Sequence, residues 1–258
     1  MKICLFILIF LKGISIEAQE LFTPPLKPLP SFKSGEILTY QIRYGFIVGG
    51  ITTLSLDEII LNKKTVYHTL AIAKTKGIAN TLYGVKDIYE SWFDGKTILP
   101  VKQVSNIKEG HYTNYNEVTF NRRNNTVNSK LSGIHKVPGK IFDLPSTFYY
   151  LREVDFSRMT GGEVIVLNLY FGDEILPFKL RYVGKETIRT KFGNVGCLKI
   201  SPVVQVGRMF KSTDDLTIWF SDDDNMLPVL VRMKIRVVGE VLLKLIKFEN
   251  TVNPAIGQ

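Results

Sequence analysis

WFDGKTILPV at residues 92–101 and WFSDDDNMLPV at residues 219–229 are two versions of one pattern. Each stretch begins with a Trp-Phe pair that is typical of a strand, continues through polar turn residues, and ends in Leu-Pro-Val. Proline is tolerated at the first position of a strand, because its missing N–H is not needed there. We interpret each stretch as a hairpin corner that joins two antiparallel strands.

The match extends upstream of both corners. A Gly-Glu pair stands at residues 35–36 and again at residues 162–163, and each glycine precedes its tryptophan by 57 residues. A pattern shared by two segments at equal spacing indicates an internal repeat. We therefore expect two related β-meanders, at residues 35–135 and 162–250, within one β-rich domain that spans residues 35–250.

The N-terminus has the three parts of a secretory signal. Lys2 supplies positive charge, and residues 3–11 form an apolar run that is too short to span a bilayer. Ala18 is a small residue that suits cleavage before Gln19. Residues 1–18 are therefore predicted to be a cleaved signal, which sends the protein to the periplasm or cell envelope of a diderm bacterium.

The termini of the mature chain differ in composition from its centre. Residues 19–34 contain four prolines and are predicted to form an extended arm, because proline supplies no donor to a strand ladder. Residues 251–258 have no recognisable pattern and are described as a tail. Whether the arm is ordered is left open by the sequence.

Charge and cysteine content restrict the class of protein. The 258-residue chain carries a net charge of +9, which falls to +8 because residues 1–18 contain two lysines and one glutamate. A basic surface favours anionic partners such as lipid head groups or acidic proteins, and export argues against nucleic acid. Cys197 is the one cysteine outside the signal, so we predict a buried structural thiol and no internal disulfide.

One helix is predicted, at residues 143–153. Asp143 can accept hydrogen bonds from the free amides of the first turn, and Pro145 suits that turn because its missing N–H has no role there. Phe148 and Leu151 recur at helical spacing on one apolar face. We expect this face to pack on a sheet.

The remaining chain is predicted to be almost entirely strand, because apolar and polar residues alternate along it. Residues 174–184 and 185–190 are predicted as two separate strands, and residues 132–140 as a loop between the halves. The pattern indicates a mainly β protein: a strongly curved antiparallel sheet or open β-barrel built from two related meanders, with the helix at 143–153 packed on it.

No segment carries a motif specific for catalysis or metal binding. His68, His111 and His135 lack metal-ligand spacing, and we expect His68 to be packed and hydrogen-bonded. The acidic run at residues 222–225 has oxygen ligands of the kind calcium prefers, yet it lacks the length and distal glutamate of an EF-hand. Asp and Asn are also the ordinary residues of a tight turn. We therefore expect no enzyme activity, no cofactor and no metal.

The best candidates for ligand contacts lie on or near the helix. If the helix lines a cavity, Phe148 and Tyr149 would meet the apolar part of a ligand and Arg152 an anionic head group. Trp92 and Trp219 would then be candidate wall residues. A structural role is the default expectation for all five side chains.

Four stretches resemble a known family. They are GE-x-L-x-Y at residues 35–40, D-x-YES at 87–91, DLPSTFYYLR at 143–152, and W-x-SDD with LPV at 219–229. Together they resemble the domain-of-unknown-function 3108 (DUF3108) family of exported bacterial proteins. The resemblance implies a secreted or periplasmic β-rich protein without an established activity, and it carries over no catalytic residues. The architecture also resembles the open β-barrels with a helical lid that carry lipoproteins in the envelope, an analogy at the level of fold alone.

Three functions remain open from the sequence. The leading hypothesis is a periplasmic, non-enzymatic protein that holds an apolar or amphipathic envelope component inside the curved sheet, beneath the helix. The alternative is an envelope scaffolding protein with a packed core, which engages a partner protein through the basic, outward-facing side chains Arg232, Lys234 and Arg236. The third is a hydrolase with dispersed carboxylates and His111. No segment after the signal is apolar enough to cross a membrane as a helix, so an integral membrane protein is not expected.

Overall fold

The computed structural model describes residues 24–204, 210–212, 214–236 and 239–256. The predicted signal at residues 1–18 lies outside them. Among the described residues, no helix combines the length and the apolar character that crossing a membrane requires.

The first half of the described chain is an antiparallel meander. Its elements are β1 (Glu36–Tyr44), β2 (Ile47–Leu61), β3 (Lys64–Thr75), the short helix α1 (Gly77–Leu82), β4 (Lys86–Phe93), β5 (Pro100–Glu109), β6 (Tyr112–Asn121), β7 (Thr126–Ser129) and β8 (Gly133–Lys136).

The second half begins with a short strand and a helix and then repeats the meander. Its elements are β9 (Ile141–Phe142), α2 (Leu144–Glu153), a 3-10 turn (Phe156–Arg158), β10 (Val164–Phe171), β11 (Glu174–Thr190), β12 (Gly193–Pro202), β13 (Leu216–Ser221), β14 (Pro228–Ile235) and β15 (Gly239–Glu249).

All fifteen strands belong to one sheet, in the order β8-β7-β6-β5-β4-β3-β2-β1-β15-β14-β13-β12-β11-β10-β9. Strand β15 pairs with β1, so the two meanders join side by side, and among the described strands only β9 and β10 run parallel. The sheet is not closed, because β8 and β9 form its two edges. This confirms the predicted curved antiparallel sheet or open β-barrel with one short helix packed on it.

Side chains of β6 and of the turn after it reach across to β9 and β10. Asn116 on β6 donates its Nδ2–H to Oδ1 of Asp173, in the β10–β11 turn, over 3.0 Å. The ring of Phe120 lies 6.1 Å from that of Tyr170 in an edge-to-face arrangement. Arg122 donates to the backbone oxygen of Ile141 on β9. The concave face is therefore enclosed without a continuous strand ladder.

The two hairpin corners have the same backbone geometry. The strand register shifts by one residue directly after Trp92 in one corner and after Trp219 in the other. Two residues before each corner proline, Ile98 and Met226 take φ angles of 58° and 47°. Positive φ is uncommon for side chains of this type, so the shared conformation supports a common origin for the two meanders.

The starts of the two meanders are also equivalent. Gly35 and Gly162 have φ angles of 85° and 98°, in the region that glycine adopts without strain. The Gly35 N–H donates to the oxygen of Leu56 over 2.7 Å, and the Gly162 N–H donates to that of Tyr182 over 2.8 Å. The repeat read from the Gly-Glu pairs is thus a repeat of backbone conformation.

Two local predictions were wrong. Residues 174–190 form the single strand β11, because Gly184, at a φ of 144°, sits in a register irregularity that bends the strand without ending it. The predicted loop at residues 132–140 contains the edge strand β8, which pairs with β7. In both places a glycine in the sequence indicates the end of a strand, whereas in the structure the strand includes the glycine.

The described part of the arm is ordered. Pro25 and Lys27 form backbone hydrogen bonds with the chain at the C-terminal end of α2. Phe32 is 3% exposed and packs edge-on against the rings of Tyr67, Phe93 and Tyr149. Hydrophobic side-chain burial explains why this proline-rich segment lies against the domain.

Candidate ligand-binding site

Helix α2 lies inside the curved sheet and contacts β4 and β10. Asp143 caps its N-terminus as predicted, because its Oδ1 accepts the Ser146 N–H over 2.8 Å while Ser146 Oγ accepts the Asp143 N–H over 3.0 Å. This reciprocal capping box sets where the helix starts.

Burial raises the pKa of the Asp143 carboxyl to about 6, in spite of its hydrogen bond from Ser146 and the nearby positive charge of Arg122. Desolvation disfavours the ionised form, and these partners offset it only in part. The start of the helix is therefore held by a group that titrates near the acidic end of the physiological range.

The C-terminal end of α2 is held by Arg152, whose side chain is fully buried. Its guanidinium donates from Nη1 to Glu36 Oε1 over 2.5 Å and from Nη2 to Glu36 Oε2 over 2.8 Å. Nη2 also donates to the oxygen of Ser31 and Nε to that of Asn225. Burial lowers the pKa of Arg152, but Glu36 raises it further, so the net shift is upward.

Glu36 therefore competes with any anionic ligand for the Arg152 guanidinium. The two carboxylate oxygens of Glu36 already occupy the N–H edge of the guanidinium that would bind an anionic head group. The structure places Arg152 at the junction of β1, the arm and the β13–β14 corner. In this position it orients the helix.

A cavity of about 310 Å³ lies between α2 and the concave face of the sheet. Its wall is almost entirely apolar and comes from both meanders and the helix. The lining residues are Tyr40, Thr52, Leu54, Ala71, Tyr89, Leu144, Pro145, Thr147, Phe148, Leu151, Phe178, Ile218, Phe220, Pro228, Val231 and Leu243.

The helix presents two different faces to its surroundings. Tyr149 is fully buried and packs with Phe32 and Phe93 in the core, and its hydroxyl lies 3.4 Å from Thr69 Oγ1. Phe148, the neighbouring residue on the helix, is half-buried and lines the cavity, with its ring 5.1 Å from that of Tyr149. The apolar stripe that was expected to pack on the sheet does so, because Leu151 belongs to the core, and it also contributes to the cavity wall.

Tyr40, one of the residues that line the cavity, carries a buried hydroxyl group. The side chain is 3% exposed, and its hydroxyl has no hydrogen-bond partner among the described residues. Burial raises the pKa of Tyr40, so the hydroxyl keeps its proton and can donate. Leaving a buried polar group unpaired costs about 1–3 kcal/mol.

The two tryptophans do not line this cavity. Trp92 stacks on His68 with ring centroids 4.4 Å apart, and Trp219 donates its Nε1–H to Glu186 over 3.0 Å. Their strand neighbours, such as Phe220, point to the cavity, so alternation along the strand turns both tryptophans to the convex face. Their predicted contact with a ligand would therefore need a second site outside the sheet.

The predicted basic surface is present on the same convex face. Lys234 and Arg236 are exposed, whereas Arg232 is half-buried with its guanidinium 4.9 Å from the centre of the Trp219 ring. This cation–π contact uses one of the three charges to pack the sheet surface. The partner protein that this surface would engage stays a prediction.

The remaining candidates take the structural roles expected of them. His68 Nε2 lies 2.9 Å from Glu90 Oε2, and His111 is exposed in a turn. Asp223 Oδ1 accepts from Ser221 and from two backbone amides of its own loop, the hydrogen bonding of a tight turn. Cys197 is 1% exposed, and burial raises the pKa of its thiol to about 12, which confirms a buried structural thiol.

Sequence reasoning missed the strand residues that form the cavity wall. Tyr40, Ala71, Phe178 and Ile218 occupy ordinary inward positions of an alternating strand. They differ from core residues only because the fold brings them together beneath α2. Strand periodicity shows which face of the sheet a residue lies on, but not how far that face is from the helix.

The fold and the cavity define a class: an open, curved β-sheet that encloses a helix and an apolar cavity beside it. Residues 39–246 match the model of the DUF3108 family, whose description is "protein of unknown function". The chain therefore belongs to this family. No protein of curated function matches the chain significantly.

Solved structures share the fold at very low sequence identity. A β-barrel-like DUF1849 protein from Brucella abortus has a TM-score of 0.56 and 9% identity, over 86% of this chain and 98% of that one. A candidate exported protein with a YmcC-like fold from Bacteroides fragilis has a TM-score of 0.35 and 10% identity, over 88% of this chain and 100% of that one. The first of these supports the curved β architecture and carries no functional inference.

Proposed function

We propose that the protein is exported to the cell envelope and is a non-enzymatic binding protein, which holds the apolar part of an amphipathic envelope molecule in the cavity beneath α2. The observation that carries this proposal is the cavity itself: about 310 Å³ of apolar-walled space inside the curved sheet. Ligand sites typically range from about 300 to 1,000 Å³ and are lined mostly by apolar side chains with a few polar groups.

The state of the wall residues supports a binding role over a packed core. Phe148, Phe178 and Ile218 face the cavity and are only half-buried, although the core beside them is fully closed. Large apolar groups left partly exposed in a concave site favour an apolar ligand. The wall is almost entirely apolar, which suits the apolar part of an amphipathic ligand.

Export rests on the signal pattern of residues 1–18. The chain should appear in the periplasmic fraction of a diderm host with Gln19 as its first residue. N-terminal sequencing of the fractionated protein checks this directly, and a cytoplasmic chain that retains Met1 would contradict it.

The binding role is tested by what the protein carries. The full-length chain is expressed with its own signal, purified from the periplasm without detergent, and extracted with organic solvent for mass spectrometry. One class of amphipathic molecule, at close to one per chain, is the expected result. The control is Ala71→Phe, which places a ring into the cavity wall. An extract without such a molecule, or with the same content in the variant, would overturn the proposal.

A further inference from the structure

A second cavity, of about 240 Å³, adjoins the first. The two share Tyr89, Leu144 and Pro145 in their walls, so they meet at the start of helix α2. A molecule that extends past Tyr89 would therefore occupy both.

The shared wall changes character along one row of the sheet. Strand register aligns Leu54, Ala71, Tyr89, Ser105 and Asn116 as successive neighbours across β2 to β6. Directly opposed residues on adjacent strands lie about 4.5–5.5 Å apart, so the row forms a continuous strip. The first three residues line the apolar cavity and the last three line the second cavity, with the amphipathic tyrosine at the transition.

The second cavity is rich in uncharged hydrogen-bonding groups. Gln103, Ser105, Asn114 and Asn116 line it from β5 and β6, together with Tyr112. The interior of a small barrel is normally filled by apolar side chains, so four amide or hydroxyl side chains on one concave surface need a different explanation. Amides and hydroxyls both donate and accept, which matches the hydroxyl groups of a polyol.

Asn116 is held in a fixed position. It is 7% exposed, and its Nδ2 donates to Ser129 Oγ and to Asp173 Oδ1, each over 3.0 Å. Its Oδ1 accepts from Ser129 Oγ over 3.1 Å. A side chain fixed in this way gives the cavity a rigid polar floor, which lowers the entropy lost when a ligand binds.

The charged side chains around the second cavity are two carboxylates, which disfavour an anionic head group. Because both already have partners, they do not need a cationic head group for neutralisation. No lysine or arginine lines it in the part of the chain that the structure describes. Its two carboxylates are already engaged, Glu90 with His68 at 2.9 Å and Asp173 with Asn116 and Tyr170. An anion would face these negative charges without a compensating partner.

We infer that the second cavity binds the uncharged, polyhydroxylated head group of the amphipathic ligand, such as a sugar, while its acyl chain lies in the apolar cavity. This inference rests on the proposed function and specifies the ligand class. It also replaces the anionic head group expected from Arg152, because that guanidinium is bound by Glu36.

The test compares three amphiphiles with one chain length. Dodecyl maltoside, dodecyl phosphate and dodecyltrimethylammonium are added, below their micelle concentrations, to mature protein loaded with the fluorescent probe N-phenyl-1-naphthylamine, and displacement gives each affinity. The maltoside is expected to bind at least about tenfold more tightly than the other two, as two or more additional hydrogen bonds imply. A phosphate or an ammonium amphiphile that binds equally well or better would overturn the inference.

A double variant shows where the head group is recognised. Gln103→Leu with Asn114→Leu should lower the affinity for dodecyl maltoside about tenfold. The control is Asn106→Leu, which makes the same exchange at an exposed position on β5 that does not line the cavity. Equal loss in the control, or no loss in the double variant, would contradict the assignment.

The same assay separates the two proposals. If the probe and all three amphiphiles fail to bind, the proposed binding function and this inference both fall. If the probe binds and is displaced without regard to head group, the binding function stands and the inference about its polar end is wrong.

Discussion

Arg152 and Glu36 form a bidentate ion pair with both side chains fully buried, at N–O distances of 2.5 and 2.8 Å. The two residues are 116 positions apart in the chain. Glu36 belongs to the first meander and Arg152 to the helix, so the pair fixes α2 inside the sheet. A planar guanidinium bound by two carboxylate oxygens also sets the rotation of the helix about its axis.

The repeat supplies a matched control for this pair. Glu36→Gln leaves a buried guanidinium without its counter-charge and should lower the free energy of unfolding by about 3–5 kcal/mol. Glu163 is the equivalent residue of the second meander, is exposed, and accepts the Thr160 N–H over 2.9 Å. Glu163→Gln should therefore change stability by less than about 1 kcal/mol. Urea unfolding measures both, and equal effects would show that the ion pair is not the anchor.

The buried cap of α2 predicts an unusual pH dependence. The pKa of Asp143 is raised to about 6 in the folded protein, against about 3.9 in an unfolded chain. The folded state therefore binds this proton more tightly, so its contribution to stability is complete below about pH 4 and is lost as the pH rises to about 6. The loss is on the order of 3 kcal/mol.

Asparagine at position 143 tests this assignment, because it keeps the capping oxygen and removes the charge. Asp143→Asn should flatten the part of the stability curve between pH 4 and 6 and raise stability at pH 7. Asp155→Asn makes the same exchange at the N-cap of the exposed 3-10 turn and should keep the wild-type slope. Urea midpoints at five pH values give the answer, and an unchanged slope in Asp143→Asn would show that the pH dependence arises from another group.

Filling the cavity should abolish binding without unfolding the protein. Ala71 lies on the concave face between Leu54 and Tyr89, and Ala71→Phe places a ring in the space that the ligand would occupy. Ile72→Phe adds a ring to the other face of the same strand, because side chains alternate. Naphthylamine fluorescence should disappear in the first variant and remain in the second. Equal fluorescence in both would place the probe elsewhere.

Affinity should depend on chain length in a defined way. Each methylene removed from water contributes about 0.8 kcal/mol, which corresponds to roughly a fourfold lower Kd per added methylene. The increase should level off when the chain exceeds the cavity of about 310 Å³. Calorimetry with alkyl maltosides from octyl to tetradecyl measures this slope, and a flat series would show that the chain is not buried.

Cys197 should be inert in the folded protein. Burial raises the pKa of its thiol to about 12, so almost no thiolate forms at pH 8. Labelling with iodoacetamide should be negligible in buffer and complete in urea, as followed by intact mass. Rapid labelling of the native protein would show that this strand opens.

Much of the fold could be read from the sequence because it depends on local rules. The two Trp-Phe…Leu-Pro-Val corners, the strand alternation and the start of α2 at Asp143 each follow from conformational preferences within a few residues. The errors came where a global sheet overrode a local signal. Gly184 bends β11 without ending it, since the ladder with β12 continues before and after the irregularity.

Less of the candidate site could be predicted from local sequence patterns. The helix and Phe148 could be singled out from their spacing, and the space beneath the helix could be proposed as the place for a ligand. The choice of Arg152 as a ligand residue could not foresee Glu36, because nothing within either segment indicates that they meet.

The sequence by itself determined the repeat, its two corners and the helix that separates the meanders, since these depend on backbone preferences of neighbouring residues. The tertiary structure decided which face of α2 is core and which faces the cavity, that both tryptophans lie on the convex side, and that a polar cavity adjoins the apolar one. Those features depend on the curvature and register of fifteen strands, which bring Leu54, Tyr89 and Asn116 into one row across the sheet.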